Sequence, residues 1–241
     1  MAQPLRIRRP RVLVGTSGFS YPAWRGAFYP ADLPAAGMLR HYAGVFDTVE
    51  INHSFYRMPT PALLEGWRRQ VSPQFRFALK APQRITHQRR LRDCAELTRD
   101  FVRLAGTLGP TLGPLLFQLP PHLKADADRL EEFLALLPPR VEAAVEFRHP
   151  SWFDDRTLSL LRARRVALCV ADTEEDTSPL EATAAFGYLR LRRPDYDAAA
   201  LARWAERIRA VTSWKRVYVY LKHDEAGRGP ALASALVAAL A

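Results

Sequence analysis

Residues 114–149 read PLLFQLPPHLKADADRLEEFLALLPPRVEAAVEFRH. Two short apolar runs, PLLFQLP (114–120) and AAVEFRH (143–149), flank DADRLEEFLALL (126–137), whose apolar residues recur at three- and four-residue spacing. That is the pattern of a strand, an amphipathic helix and a second strand. Strands joined through such a crossover lie parallel, with a right-handed connection.

The same alternation runs in both directions from this unit. The other strand candidates are VLVGTS (12–17), TVEIN (48–52), RFALKA (76–81), ALCVAD (167–172), GYLRLR (187–192) and RVYVYLKH (216–223), which makes eight in all. Helical spacing recurs in PALLEGWRRQ (61–70), CAELTRDFVRLAGTL (94–108), DRTLSLLRARR (155–165) and DAAALARWAERIRAV (197–211), and PALASALVAAL (230–240) closes the chain. Eight βα units in 241 residues predict an α/β fold, a single (β/α)8 TIM barrel, with a doubly wound open sheet as the alternative. TEEDTSPLEATAA (173–185) is polar and lacks a helical pattern, which marks the sixth βα unit as the candidate for a degenerate one. No low-complexity linker or repeat divides the chain. Residues 11–241 therefore read as one domain, and 1–10 as a flexible N-terminal extension.

A hydrophobic content of 48% is enough for a large core. The net charge of +10 suggests anionic partners, yet lysine holds only four of the 35 basic positions, Lys80, Lys124, Lys215 and Lys222. Such an arginine bias, beside many alanines and prolines, reflects coding composition in part, so charge alone is a weak argument for nucleic acid. No apolar run reaches the length of a membrane span, and MAQPLRIRRPR has no apolar segment behind its positive charge long enough for a signal peptide. No membrane partner, no signal peptide and a cytoplasmic location are the expectations. Cys94 and Cys169 lack any metal-ligand or CxxC spacing and read as buried thiols.

In a TIM barrel the site is built where strands end, because the βα loops gather there. Side chains alternate along a strand, so residues two apart share a face. Glu50 and Asn52, Lys80, Gln118, Glu146 and Arg148, Arg190 and Arg192, and Lys222 and Asp224 then stand opposite in phase to apolar sets that pack outward; Ser17 and Asp172 end strands one and six. Glu50, Glu146, Asp172 and Asp224 face an excess of bases, which predicts an anionic ligand; the alternative is an ion network that neutralises itself. Glu50, Lys80 and Glu146 are the catalytic candidates. Ser17, Trp24, Asn52, Tyr56, Gln118, Arg148, His149, Asp172, Arg190 and Asp224 are the substrate-binding candidates.

The loops add four further features. GTSGFSYPAW (15–24) offers hydroxyls and backbone NH groups but no phosphate-loop ending. NHSFYRMP (52–59) supplies an aromatic able to plug the barrel mouth, RITHQRRLR (84–92) is densely basic, and HDEAGRGPA (223–231) places glycines before the last helix. In EFRHPSWF (146–153), Glu146 and Arg148 point inward, Phe147 outward, and Pro150, Trp152 and Phe153 brace the turn.

Five ordered blocks, GTSGFSYPAWRGAFYP, FDTVEINHSFYRMP, FRFALKAPQRITH, LGPLLFQLPP and EFRHPSWF, resemble the domain of unknown function 72 (DUF72), or YecE-like, family. The resemblance implies a TIM barrel and no established reaction. Analogy with xylose-isomerase-like and apurinic-endonuclease-like barrels concerns the fold alone. Members tend to end strand eight with an FNND-like stretch and to show RLHG after strand seven. This chain has Leu221-Lys222-His223-Asp224 and Arg190-Leu191-Arg192-Arg193, so Asp224 and Arg190 match while their neighbours depart.

The expected function is an enzyme acting on a small anionic, phosphorylated or sugar-like, substrate by carboxylate acid/base chemistry, as a hydrolase, isomerase or lyase. A metal-dependent phosphoesterase or nuclease and a nucleic-acid-binding protein are the alternatives. No cofactor is expected, and the interleaved Lys80, Arg148 and Arg190 disfavour a divalent metal. The sequence carries no sign of an oligomeric state.

Overall fold

The computed structural model describes residues 9–223 and 225–241. Residues 1–8 of the expected extension, and Asp224, lie outside the described residues. Eight strands alternate with helices: β1 (Arg11–Thr16), β2 (Thr48–Ile51), β3 (Arg76–Lys80), β4 (Leu112–Gln118), β5 (Ala143–Glu146), β6 (Ala167–Asp172), β7 (Phe186–Leu191) and β8 (Arg216–Leu221). All strand pairs are parallel, in the order β1-β8-β7-β6-β5-β4-β3-β2. The sheet thus curls into a nearly closed barrel, a (β/α)8 arrangement.

The helices are α1 (Met38–Ala43), α2 (His53–Tyr56), α3 (Pro61–Arg68), α4 (Ala95–Ala105), α5 (Ala127–Ala135), α6 (Asp155–Arg164), α7 (Ala198–Ala210) and α8 (Arg228–Leu240). Several start where the sequence supplies an N-cap. Asp126, Asp154 and Asp197 accept the backbone N–H of Arg129, Thr157 and Ala200 at 3.1, 2.7 and 2.6 Å. The sixth unit is degenerate as expected. Among the described residues no helix joins β6 to β7; the chain instead folds back on β6 through an antiparallel bridge between Asp172 and Thr177.

Closure between β1 and β2 does not use a regular ladder. The Gly18 N–H donates to the Glu50 carbonyl at 2.7 Å, and the Tyr42 hydroxyl of α1 accepts the Thr16 N–H at 2.8 Å and donates to the Thr48 carbonyl at 3.0 Å. A tyrosine side chain thus substitutes for the missing backbone bonds. Gly15 permits the close approach, since a Cβ there would stand 2.1 Å from the Thr48 oxygen.

Strand ends differ from the sequence expectation by one to three residues, and two of the differences have a visible cause. β4 begins at Leu112 and includes Gly113 and Pro114, where the β3–β4 register shifts. Proline has no N–H for a ladder and is accommodated at such an irregularity. β5 stops at Glu146, because the next residues turn: Phe147 stacks on Trp152 at 4.7 Å between centroids, and Pro150–Trp152 form one 3-10 turn.

Inside the barrel, Leu13, Ala78, Leu116, Ala144, Cys169, Tyr188, Tyr218 and Tyr220 fill one compact cluster. The opposite strand faces pack on the helices in a larger core. Each barrel face therefore removes apolar area from water, at roughly 25 cal/mol per Å². No helix among the described residues is long and apolar enough to cross a membrane.

Candidate functional site

Above the interior tyrosines, at the C-terminal strand ends, the inward phase turns polar. Arg190 of β7 is the hub and is only 2% exposed. Its Nη2 donates to Glu50 Oε1 at 2.8 Å, and its Nη1 to Glu146 Oε2 at 2.6 Å and Gln118 Oε1 at 3.3 Å. One guanidinium thus holds two buried carboxylates from β2 and β5. Glu50 also accepts Ser17 Oγ at 2.8 Å, Asn52 Nδ2 at 3.2 Å and the Tyr188 hydroxyl at 2.7 Å. Glu146 Oε1 accepts Arg148 Nε at 2.5 Å, and Arg192 Nη1 stands 3.8 Å from it.

This arrangement sets the ionisation of its members. Burial alone would raise the Glu146 carboxyl, but Arg190 and Arg148 outweigh it and hold it below the usual range. Lys80 goes the other way. Burial, with Arg190 adding to it, lowers its amine to about 8, and Glu146 and Glu50 offset this only in part. Its Nζ sits 4.0 Å over the Phe55 ring, and among the described residues Lys80 makes no side-chain hydrogen bond or ion pair.

Among the described residues, bases exceed acids in the ring: Lys80, Arg148, Arg190 and Arg192 against Glu50 and Glu146. Arg190 Nε, Arg192 Nε and Arg192 Nη1 are buried without a hydrogen-bond partner among the described residues. Buried donors left unmade are costly, so cationic ones at a barrel mouth fit an anionic ligand. Among the described residues no three His, Cys, Asp or Glu side chains gather in a group able to hold a metal ion.

The loop after β3 borders this ring. Arg84–Gln88 form a turn of π-helix, a form frequent at functional sites, and Arg90, Leu91 and Asp93 follow with φ of 50°, 69° and 46°. His87 lies edge-on to Phe55 at 4.9 Å between centroids, and burial followed by nearby Lys80 lowers its imidazole. A cleft of about 550 Å³ opens beside the ring, lined by Phe19, Tyr21, Asn52, His53 and Trp67 among others. It meets the charged cluster through Asn52, which reaches Glu50.

Of the sequence candidates, Ser17, Glu50, Asn52, Gln118, Glu146, Arg148 and Arg190 form one network, with Lys80 beside it. Four do not join it. Trp24 is 1% exposed and packs in the outer core against Tyr21 and Tyr29. Tyr56 is 73% exposed. His149 braces its own turn, its Nδ1 accepting the Ser151 N–H at 3.2 Å. Asp172 faces outward, because Cys169 takes the inward phase of β6 and Asp172 is three residues on. Lys222, expected inward with Asp224, is exposed. Asp224 itself falls outside the described residues.

Tyr188, which donates to Glu50, and Phe55, beneath the Lys80 amine, border the ring and are absent from the sequence candidates. Tyr188 was legible as the residue two before Arg190 on the inward face, and Phe55 as one of the aromatics of NHSFYRMP able to plug the mouth.

Residues 13–241 match the family described as "Protein of unknown function DUF72". The chain is 33% identical over 143 residues to the UPF0759 protein YecE of Escherichia coli, a match covering 59% of this chain and 50% of that protein. It is 28% identical over 150 residues to the UPF0759 protein YunF of Bacillus subtilis, covering 57% and 53%. The chain thus spans about half the length of the curated relatives it matches. A DUF72 family protein of Thermotoga maritima superposes with a TM-score of 0.80 at 27% identity, covering 94% of this chain and 97% of the other. One from Enterococcus faecalis, at 16% identity, gives 0.77 over 98% and 99% and shows the shared fold alone. With the family matched along nearly its whole length and the fold shared with a member's solved structure, the chain belongs to the DUF72 family of barrel proteins.

Proposed function

We propose that this protein is an enzyme that binds a small anionic substrate at the strand-end ring and moves protons through Lys80. The observation that carries the reading is the excess of positive charge among the described residues of the ring, with buried donors of Arg190 and Arg192 lacking partners among them beside a desolvated amine. An oxyanion would complete those donors, and the guanidiniums are shaped to hold carboxylate or phosphate bidentately.

The roles first expected of the carboxylates shift. Glu50 and Glu146 share one guanidinium, and the lowered Glu146 stays ionised at neutral pH, so it is a poor general acid. Their work is to fix Arg190 and to focus positive charge around it. Acid–base exchange passes to Lys80, of which roughly a tenth is neutral at pH 7 when its pKa is near 8.

The test is recovery of bound metabolites by mass spectrometry, followed by calorimetry of each candidate. Organic carboxylates or phosphates are expected, with binding weakened in Arg148→Gln and Arg192→Gln. Neutral ligands, or anions whose affinity ignores both substitutions, would overturn the reading.

A further inference from the structure

We infer that Lys80 is a covalent nucleophile: its amine forms an imine with a small carbonyl compound whose carboxylate or phosphate is held by Arg148 and Arg192. The inference rests on the anion-binding reading above and adds the substrate's reacting group.

Three observations carry it. First, Lys80 is placed as a nucleophile must be. It ends β3, a rigid barrel strand, with its amine against the Phe55 face and only 9% of the residue exposed. Among the described residues no carboxylate pairs with it, although two buried carboxylates lie in the same cluster, because Arg190 has taken both. Second, burial favours the uncharged amine and Arg190 adds to it, with Glu146 and Glu50 offsetting this only in part. Third, lysine is the exception in this chain. Arginine fills 31 of the 35 basic positions, and Lys124, Lys215 and Lys222 are all exposed. The one buried base that is not arginine stands at the barrel mouth. An arginine would hold its proton there; a lysine can release it and attack.

The step balances without a co-reactant. The lone pair of neutral Nζ adds to the carbonyl carbon, forming a C–N bond while the C=O π pair moves to oxygen, which takes the first of the two amine protons. Loss of the second amine proton and departure of that oxygen as water leave the C=N bond. Once protonated, the imine nitrogen draws electrons from the adjacent carbon, which places the overall reaction among lyases or isomerases.

The experiment is reductive trapping. The full chain is incubated at neutral pH with cyanoborohydride and, separately, pyruvate, glyoxylate and glyceraldehyde 3-phosphate, then digested and mapped. The carboxylate and phosphate probes report which anion the ring prefers. A reduced adduct is expected on Lys80 in roughly tenfold or greater excess over the exposed lysines, the direction set by its larger neutral fraction. Lys80→Arg, which keeps the charge, and Lys80→Met should both abolish it. Adducts spread evenly over the lysines, or unchanged in Lys80→Arg, would overturn the inference. Thermal shifts with the same probes separate the two ideas. A shift that needs Arg148 and Arg192 but yields no adduct removes the nucleophile and keeps the anion site, whereas neither shift nor adduct with any probe removes both.

Discussion

Two buried carboxylates end neighbouring strands, Glu146 on β5 and Asp172 on β6, and they are satisfied in opposite ways. Asp172 points outward and collects four donors: Thr177 Oγ1 at 2.5 Å and Arg193 Nε at 2.7 Å on Oδ1, the Tyr196 hydroxyl at 2.8 Å and Trp204 Nε1 at 3.2 Å on Oδ2. Its donors come from the fold-back after β6, the segment after β7, and α7. Asp172 thereby pins the unit that lacks a helix. Glu146 points inward into a cluster that, among the described residues, has more cations than anions and arginine donors that remain unmade. A completed shell marks a structural carboxylate; a surplus of unmade donors marks a place prepared for something else.

The contrast can be broken by removing the hub. Arg190→Met strands Glu50 and Glu146 without their shared cation, and about 3–5 kcal/mol of stability should disappear in urea unfolding, as expected when one partner of a buried ion network is removed. A loss under about 1 kcal/mol would mean that the ring is wet and the network incidental.

Asp172→Asn should cost less, about 2–3 kcal/mol, since one oxygen becomes an amide NH2 and the two donors that faced it are left without an acceptor. Anion affinity measured by calorimetry should not change. If it does, the outer cluster belongs to the site after all.

Lys80→Met should act in the reverse sense and stabilise the protein at neutral pH by on the order of 1–2 kcal/mol. Lys80 faces Glu50, Glu146, Arg148, Arg190 and His87, and its folded pKa of about 8 lies below its ordinary 10.5. The folded state therefore binds fewer protons than the unfolded one between those values. The cost of the buried charge is full below pH 8 and fades as the pH rises toward 10.5. The gain from Lys80→Met should shrink over that window, as thermal unfolding at several pH values would show.

The smallest stability effect belongs to Arg192→Gln, within about 0.5 kcal/mol, because its Nε and Nη1 make no hydrogen bond to lose. Anion affinity should nonetheless fall about tenfold, equivalent to about 1.4 kcal/mol. Equal small changes in both would make Arg192 a bystander.

Much of this site is legible from alternation. TVEIN, RFALKA, AAVEFRH and GYLRLR each mix polar and apolar residues at period two, so the inward set of Glu50, Lys80, Glu146 and Arg190 follows from the strand pattern alone. ALCVAD cannot be read this way. It is apolar throughout up to its last residue and buried on both faces, so nothing in it tells which face Asp172 takes. Trp24 misleads for a related reason: an aromatic in a glycine-bearing loop reads equally as a ligand wall or as core, and its burial against Tyr29 decides for core.

Spacing within a few residues was enough to give the eight strands, the weak sixth unit and the polar phase of the strand ends, because each of these is a local property of the chain. It took the closed barrel to assign Arg190 to Glu50 and Glu146, 140 and 44 residues away, and to leave Lys80 without a counter-ion among the described residues. Partner choice among buried charges is a long-range matter, settled when the barrel closes and each charge must find its counterpart or do without.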